Sequence, residues 1–368
     1  MYISKLTLSN FRNYEEASFE FHRGVTLIVG ENGAGKTNIL EAIAFLSALR
    51  SHRTNQDSDM IAFDAPYCAV LGEFETAEGR EYLNLLLERD GAKRIKHNHR
   101  VVKRAADVVG RLNTVVFSPD EMDIIKESPD KRRRYLDVAI SKIDRKYFYS
   151  LQLYKKIIRQ KNRHLKHFES GDAGRVLDIY NEQLAEAGSY IAYRRRFFVD
   201  GLNQIVGEIH KRLTGQTDDI YIDYVCHVET LNQSLEQIQQ AYSAMLEELK
   251  DSEIERRTSL KGCHLDDIVF YVKGRNARKF SSQGQQRILL LSVLFAQSEI
   301  ALRQTGDPPV ILLDDILSEL DDRRKQLVFE YIQEYQTFIT AAGSAEPYKK
   351  YLRQFELLKI PVKQENKE

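Results

Sequence analysis

A glycine-rich segment near the N-terminus constrains the fold of this 368-residue chain more than any other part of it. Residues 30–37 read GENGAGKT, which fits the pattern G-x-x-x-x-G-K-[ST] at every defined position. The segment follows an apolar run at 25–29 and precedes a helical pattern at 38–49. A buried strand that turns directly into a helix is typical of α/β folds, so we expect an α/β core.

The chemistry that this loop favours is phosphate binding. Backbone N–H groups can surround phosphate oxygens only where side chains are small, and the helix N-terminus adds partial positive charge. Lys36 is expected to reach the β- and γ-phosphates of a nucleotide, and the Thr37 hydroxyl to ligate Mg²⁺. A strand-to-helix turn that binds no ligand is the alternative. The residues assigned to the nucleotide are Gly30, Glu31, Asn32, Gly33, Ala34, Gly35, Lys36, Thr37 and Asn38.

A second motif, at 310–315, reads VILLDD. Its four apolar residues predict a buried strand of a parallel sheet, and two carboxylates follow at the end of that strand. Asp314 is expected to hold Mg²⁺ through water, and Asp315 to orient or polarise the attacking water. An exposed acidic turn is the other interpretation of these two residues.

A third motif, SSQGQQR at 281–287, places Ser282 32 residues before Asp314. Ser282 is expected to cap a helix, and Gly284 leaves the backbone open to an anion at that helix N-terminus. A plain helix start explains the same residues. Residues 318–321, SELD, follow Asp314, and Asp321 is the expected cap of the next helix.

Secondary-structure patterns divide the chain into three segments. Residues 1–117 and 288–368 carry strand patterns, whereas the residues from about 120 to 255 read as helical. We therefore predict an α/β core in two parts, 1–117 and 288–368, with an inserted, mainly helical second lobe at 118–287. The predicted strands are at 3–8, 25–29, 69–74, 82–87, 268–272, 310–313 and 338–340.

Charge is balanced over the whole chain but not along it. Lys plus Arg equals Asp plus Glu, 54 each, so a nucleic-acid surface would require local segregation of charge. Acidic residues concentrate at 218–255. A basic run on a helix is also typical of a solvated face. The basic runs lie at 93–104, 131–134, 142–166 and 194–196.

The remaining composition excludes several classes. Cys68, Cys226 and Cys263 lie far apart, which excludes a CxxC zinc pattern and a disulfide framework. No run approaches the roughly 20 apolar residues of a membrane-spanning helix. The N-terminus, MYISKLTLSNF, lacks the apolar core of a signal peptide. We expect a cytoplasmic protein with no membrane partner.

In order, the motifs resemble those of ATP-binding-cassette (ABC) ATPase heads: Walker A at 30–37, signature at 281–287, Walker B at 310–315 and D-loop at 318–321. In such heads two subunits trap ATP, with the Walker A loop of one facing the signature serine of the other. The resemblance implies that a nucleotide on Lys36 also meets Ser282, Gly284 and Gln285 of a second copy. The catalytic residues that it implies are Lys36, Asp314, Asp315 and Ser282.

Further motifs resemble the bacterial RecF family. They are FRNY at 11–14, SHRT at 51–54, FSPDEM at 117–122, RRRYLD at 132–137 and SQGQQR at 282–287. The spacing of 246 positions from Lys36 to Ser282 is too long for a transporter ATPase and too short for the coiled coils of SMC proteins.

This resemblance implies an ATP-dependent DNA-binding recombination mediator that dimerises around ATP and Mg²⁺ and is a weak, DNA-stimulated ATPase. Its expected partners are double-stranded and gapped DNA, RecR and RecO, and it would assist RecA loading in DNA repair, replication and the SOS response. Arg12 would join the nucleotide site. The expected DNA contacts are Arg132, Arg133, Arg134, Lys155, Lys156 and Arg159.

The chain departs from the usual cassette pattern at the positions that sense the γ-phosphate and position the attacking water. Ser118 and Asp120 stand near the usual Q-loop glutamine, Thr340 near the switch histidine, and Asp315 in place of a glutamate. The segment GCHLDD, at 262–267, also differs from the RecF pattern. Two other functions stay open: an ABC ATPase that energises a membrane transporter, and a non-enzymatic DNA scaffold in which ATP is structural.

Overall fold

The computed structural model describes residues 1–54, 56–167, 173–352 and 354–361. The contacts between residues group the chain into two units. The first unit contains Met1–Met122, Glu208–Thr217 and Arg287–Glu368, and the second contains Asp123–Gly207 and Asp218–Gln286. Glu208–Thr217, which the predicted division placed in the helical lobe, groups with the first unit, where His210 shares a hydrogen bond of 3.0 Å with Ser292.

The first unit begins with the strands and the helix that carry the glycine-rich loop. Its N-terminal elements are β1 (Tyr2–Phe11), β2 (Tyr14–Glu20), β3 (Val25–Gly30), α1 (Lys36–Ala48), β4 (Tyr67–Thr76), β5 (Gly79–Glu88), β6 (Lys93–His97), β7 (Arg100–Val102) and β8 (Thr114–Phe117). The predicted strands at 3–8, 25–29, 69–74 and 82–87 are therefore confirmed.

The second unit is mainly helical. The elements here are α2 (Asp123–Lys126), α3 (Pro129–Ser141), α4 (Arg145–Lys166), α5 (Ala173–Thr214), β9 (Ile220–Val225), α6 (Leu235–Arg256), β10 (Asp267–Val272), β11 (Arg275–Asn276) and α7 (Ala277–Phe280). Helix α5 ends in the first unit, from Glu208 onward, and its earlier part belongs to the second. The chain then continues through α8 (Gln283–Thr305), β12 (Val310–Asp314), α9 (Asp322–Ile332), β13 (Thr337–Ala342), α10 (Glu346–Lys349) and β14 (Glu356–Lys359).

Two sheets build the first unit. The parallel sheet has the order β14-β3-β13-β12-β8, and the antiparallel sheet has the order β2-β1-β4-β5-β6-β7. Helix α1 contacts strands of both sheets, which explains why it is buried on nearly every side from Ile39 to Ser47. A helix with apolar residues all round its surface requires such a place in a core.

The register of the parallel sheet aligns the two predicted phosphate motifs. Thr340 of β13 stands opposite Ile28 of β3 on one side and Asp314 of β12 on the other. The carboxyl ends of parallel strands meet at one edge of a sheet. The end of β3, where the glycine-rich loop begins, therefore lies at the same edge as the acidic end of β12.

Strand β9 corrects the helical prediction for residues 120–255. Ile220, Ile222 and Tyr224 are buried in alternation with more exposed residues, and β9 pairs antiparallel with β10. The alternation spans only six residues within an acid-rich stretch, so helical patterns on both sides of it dominated the prediction.

Buried ion pairs hold the second unit together. The Arg195 guanidinium lies within 2.9 Å of Asp137 and 3.0 Å of Asp266, and it also donates to the Cys263 carbonyl at 2.6 Å. The Arg132 guanidinium is bidentate to Asp267 at 2.6 and 2.8 Å. Buried charges require partners of this kind, because an unpaired buried charge is very costly.

Several cations of the predicted DNA surface have partners within the protein. The side chain of Arg132 is only 7% exposed and pairs with Asp267. Arg133 donates to the Asp266 carbonyl at 2.7 Å and pairs with Asp130, and Lys155 pairs with Asp137 at 2.9 Å. The sequence run had the right charge, but folding pairs these cations with carboxylates and a backbone carbonyl of the protein.

The Arg132 pair makes a stability prediction. Arg132→Ala should lower the free energy of unfolding by about 3 to 5 kcal/mol, because Asp267 loses its bidentate partner. The matched control is Lys131→Ala, because Lys131 is 45% exposed and pairs with Asp123 at the surface. This control should cost no more than about 1 kcal/mol. Urea denaturation followed by circular dichroism measures both variants, and equal costs would contradict the assignment.

Candidate nucleotide-binding site

The glycine-rich loop requires glycine at Gly35. Its φ is 103°, which side chains rarely adopt. A Cβ there would also approach Asn13 to 2.7 Å and the Tyr14 hydroxyl to 2.9 Å. Gly33 has a φ of 83° with open space around it. The loop can therefore take its tight path into α1 only with glycine at these positions.

Lys36 lies folded over the start of the loop. Its ammonium donates to the Gly30 carbonyl at 2.8 Å and to the Glu31 carbonyl at 2.7 Å. Carbonyl groups orient an ammonium without neutralising its charge. Lys36 consequently presents a full positive charge at the loop, which suits an anionic ligand.

Three oxygen-bearing side chains meet next to the loop. The Thr37 hydroxyl donates to Asp314 at 2.9 Å, and the Thr340 hydroxyl donates to the same carboxylate oxygen at 2.7 Å. A hydroxyl beside a carboxylate is the hard oxygen donor set that Mg²⁺ prefers. Thr37 and Asp314, the two predicted metal ligands, are thus brought together from the start of α1 and the end of β12.

Thr340 is a site residue whose role the sequence left unassigned. It donates to Asp314, and its hydroxyl oxygen accepts from the Asp315 backbone N–H at 3.0 Å. It therefore orients both residues of the acidic pair. Its position opposite Asp314 in the parallel register is the only signal for this role, and the register is a tertiary property.

Asp315 is the exposed member of the acidic pair. Its φ is 50° and its side chain faces solvent at the end of β12. Asp tolerates this left-handed conformation better than most residues. Asp321 accepts from the Arg324 N–H at 2.9 Å, which confirms it as the cap of α9. The side chains of Ser318 and Glu319 lie outside the described residues.

The motifs at 11–14 and 51–54 converge on Glu41, a fully buried residue of α1. Arg12 is bidentate to its carboxylate at 2.7 and 2.9 Å, Arg53 donates at 3.1 Å, and the Ser51 hydroxyl donates at 2.6 Å. Burial acts to raise the pKa of Glu41, but the hydrogen bonds from Arg12 and Ser51 and the charges of Arg12 and Arg53 hold it below its usual value.

A chain of amides connects this cluster to the loop. Arg53 donates to Asn38 at 3.1 Å, Asn38 donates to Asn13 at 2.8 Å, and Asn13 donates to the Ala34 carbonyl at 3.2 Å. Arg12, predicted as a nucleotide contact, is held by Glu41 at the head of this chain. Sequence reasoning missed Asn13, Arg53 and Glu41, although an acidic residue within the apolar pattern of α1 was a usable signal.

Tyr14 supports the loop directly. Its hydroxyl donates to the Gly35 carbonyl at 3.2 Å. Burial raises the pKa of Tyr14 to about 12, so the phenol keeps the proton that it donates.

Residues 281–286 of the signature segment lie in the second unit, whereas Lys36, Thr37, Asp314 and Asp315 lie in the first. Ser282 caps α8 as predicted: its hydroxyl accepts from the Gln285 N–H at 3.3 Å, and the Gln285 side chain accepts from the Ser282 N–H at 2.8 Å. This reciprocal pair is a capping box. Ser282, Gly284 and Gln285 are exposed at the start of α8.

The remaining predicted DNA contacts are distributed along two helices. Lys156 and Arg159 are exposed on α4, and Arg159 donates to the Lys155 carbonyl at 2.9 Å. Arg163 and Lys166 are also exposed, at spacings that place them on the same face of α4. Arg134, on α3, is half-buried. Across the residues that the structure describes, no helix is long and apolar enough to cross a membrane.

Comparison with known proteins identifies the class to which this fold and site belong. Residues 2–359 match the RecF/RecN/SMC N terminal domain, and the chain is a member of that family. A solved SMC head bound to the C-winged helix domain of ScpA shares the fold, with a TM-score of 0.53 at 19% identity over 94% of this chain and 90% of that chain. The predicted ABC-type ATPase head fold is confirmed.

Within that class the chain belongs to the bacterial RecF family. It is 38% identical to the DNA replication and repair protein RecF of Geobacillus kaustophilus over 347 residues, which is 93% of each chain. It is likewise 38% identical to that of Clostridium novyi over 345 residues, again 93% of each. A solved structure described as the recombination mediator protein RecF-ATP in the RecFOR pathway has a TM-score of 0.88 at 33% identity, covering 94% of this chain and 93% of that chain.

The Glu41 cluster makes a pH-dependent prediction. Glu41→Gln should lower the free energy of unfolding near neutral pH by about 2 kcal/mol or more, because Arg12 and Arg53 lose their shared carboxylate. Since the folded-state pKa is lowered, this contribution is fully present above the unfolded value of 4.5 and is lost as the pH falls through the folded value.

Urea denaturation of both forms from about pH 7 to about pH 3 measures the difference, which should shrink as the pH falls below 4.5 toward the lower folded-state value. Glu20→Gln is the control, because Glu20 is 79% exposed and lies 3.7 Å from Lys5. A difference for Glu41→Gln that stays constant over this range would show that the carboxylate is not the stabilising group.

Proposed function

We propose that this protein is an ATP-dependent DNA-binding recombination mediator, in which two copies close around shared ATP and the closed pair holds DNA. The observation that carries the proposal is the contact of 2.9 Å between the Thr37 hydroxyl and Asp314 beside Lys36. Lys36 would bind the anionic phosphates, and Thr37 with Asp314 would bind the cation. Together they form a nucleotide site in a chain of the RecF family.

The nucleotide would lie with its phosphates on the loop at 30–37. Lys36 would exchange its two carbonyl contacts for phosphate oxygens, and Thr37 and Asp314 would hold Mg²⁺. The metal supplies neutralisation of charge on the β- and γ-phosphates. The solved RecF structure described as RecF-ATP supports ATP as the nucleotide.

Hydrolysis in this proposal is slow and stimulated by DNA. Asp315 would position the attacking water, and its carboxylate is one methylene shorter than the glutamate usual in cassette ATPases. Thr340 is occupied in orienting Asp314 and Asp315 and carries no imidazole to sense the γ-phosphate. Water attack would yield ADP and inorganic phosphate, and loss of the γ-phosphate would open the pair.

Dimerisation would complete the site from the exposed start of α8. Ser282, Gly284 and Gln285 of a second copy would face the γ-phosphate held by Lys36. Their exposure in the single chain supports this, because residues that must meet a second copy cannot be buried in their own.

DNA would bind through phosphates and without sequence reading. Lys156 and Arg159 on α4 replace the wider predicted set, because Arg132, Arg133 and Lys155 have protein partners. Double-stranded and gapped DNA are the expected ligands, and RecR and RecO the expected protein partners in loading RecA in the cytoplasm. The RecFOR pathway named for the solved RecF structure supports this assignment.

A non-enzymatic scaffold is the second candidate function, favoured by Thr340 and Asp315 at the two hydrolytic positions. Phosphate release that increases with DNA would exclude it. A transporter ATPase gains no support, because Ser118 and Asp120 stand near the Q-loop position and neither is a glutamine.

The first test of the proposal is Lys36→Ala. Loss of the ammonium should weaken binding of a fluorescent ATP analogue at least about 100-fold, because a charge-assisted phosphate contact disappears. Lys211→Ala, an exposed lysine of the same unit, is the matched control and should bind normally. Undiminished ATP affinity in Lys36→Ala would remove the nucleotide site from this loop.

The second test separates dimerisation from nucleotide binding. Ser282→Arg should bind ATP normally but fail to dimerise in sedimentation velocity with MgATP, and its affinity for duplex DNA should not increase with ATP. Ser234→Arg is the matched control, because Ser234 forms the same capping box at the start of α6.

Both substitutions remove an N-cap worth about 1 kcal/mol, so only a role in the dimer distinguishes them. An ATP-induced dimer of Ser282→Arg would refute the shared site. Monomeric wild-type protein in saturating MgATP with DNA would refute the proposal as a whole.

A further inference from the structure

The basic segment at 93–104 forms a hairpin at the edge of the antiparallel sheet. Strands β6 and β7 are joined by Asn98 and His99, whose φ values are 47° and 66°. Two successive residues of positive φ define the tight turn that suits the twist of a hairpin. Strand β7 ends the sheet order, so the hairpin has solvent beyond it.

The turn is fixed to the neighbouring strand. The Asn98 N–H donates to the Tyr82 carbonyl at 2.9 Å, and the Tyr82 N–H donates to the Asn98 side chain at 2.9 Å. The rings of His99 and Tyr82 lie 5.1 Å apart. The basic side chains of the hairpin therefore project from a rigid backbone, which lowers the entropic cost of contacting a ligand.

Four basic residues of this segment already have acidic partners. They are Lys93 with Asp57, Arg94 with Glu88 at 2.8 Å, His97 with Glu81 at 2.5 Å, and Arg104 with Asp107 at 3.3 Å. Lys96, Arg100 and Lys103 are exposed and have no acidic partner within the described ranges. The nearby carboxylates are occupied, so these three cations have no protein group to neutralise them.

The sheet face beside the hairpin is also free of acids along the row that contains Lys96. In register, Lys96 stands opposite Asn84, Asn84 opposite Leu71, and Leu71 opposite Thr7. A polyanion that lay along this row would meet neutral side chains and Lys96, with Arg100 in the adjacent row opposite His97. Repulsion from carboxylates, which excludes phosphates from most protein surfaces, is absent from this row.

From these observations we infer that the β6–β7 hairpin is a phosphate-binding surface for the backbone of duplex DNA, formed by Lys96, Arg100 and Lys103. The inference rests on the proposed function and deepens it, because it gives the nucleotide-holding unit its own contact with DNA. The exposed cations of the α4 face, Lys156 and Arg159, would contact DNA separately, because α4 belongs to the second unit. Affinity from such contacts is independent of sequence and falls steeply with salt.

An anionic membrane offers the same phosphate chemistry but fits the hairpin less well. Membrane-surface elements combine bases with a large apolar face that enters the acyl region. On the hairpin the exposed large apolar side chain is Val101, at 71% exposure, and its in-register neighbour is Lys96. One valine supplies little insertion, so nucleic acid is the occupant that this surface fits.

The test compares four proteins with the wild type by fluorescence anisotropy on a labelled duplex of about 30 base pairs, in salt from about 50 to 200 mM. The hairpin variant is Lys96→Ala/Arg100→Ala/Lys103→Ala, and the charge-retaining variant is Lys96→Arg/Arg100→Lys/Lys103→Arg. The remote control is Lys211→Ala/Arg212→Ala/Arg303→Ala, and the α4 variant is Lys156→Ala/Arg159→Ala.

The hairpin variant should bind at least about tenfold more weakly and lose about 2 to 3 units of the slope of log K against log salt. The charge-retaining variant and the remote control should keep the wild-type slope. All variants should keep the wild-type affinity for a fluorescent ATP analogue, which shows that the fold of the nucleotide-holding unit is intact.

Three other outcomes would contradict the hairpin inference or the proposed function. A wild-type slope in the hairpin variant, with a reduced slope in the α4 variant, would overturn the hairpin inference and leave the proposed function standing. No duplex binding by the wild type would contradict both the hairpin inference and the proposed DNA-binding function. Loss of binding to phosphatidylserine vesicles, with unchanged DNA binding, would assign the hairpin to a membrane instead.

Discussion

The hydrogen bond between the Thr37 hydroxyl and Asp314 is the contact on which the candidate site depends. It joins residues 277 positions apart, and it forms only because β3 and β12 flank β13 in one parallel sheet. A slip of β13 by one residue would turn Thr340 to the other face of the sheet and remove the second donor to Asp314. The strand register therefore decides whether the acidic pair is held against the glycine-rich loop.

Cationic side chains have two roles in this protein: the buried ones neutralise buried acids, and the exposed ones form basic surfaces. Arg195 and Arg132 are buried against Asp137, Asp266 and Asp267, where they neutralise acids that folding removes from water. The cations of the hairpin and of the α4 face stay exposed. A net charge of zero is thus compatible with local basic surfaces. Buried arginines neutralise buried acids, while exposed cations are grouped on the hairpin and on α4.

Local patterns predicted the core well and its polar contacts poorly. The glycine-rich loop, the strand at 310–313 and the cap at Ser282 were readable because each depends on neighbours within a few residues. Strand β9 was missed because its alternation is short. The pairing of Arg132 with Asp267 could not be predicted, because Asp267 lies 135 positions away and no local pattern reveals the contact.

An α/β ATPase head of the RecF family with a phosphate loop could be predicted from the amino-acid sequence, because glycine spacing and apolar periodicity act through the nearby backbone. Three features needed the folded chain: which charges face solvent, the orientation of the acidic pair by Thr340, and the meeting of two separate motifs at Glu41. Those outcomes depend on strand order and helix packing, which bring distant residues within hydrogen-bond distance.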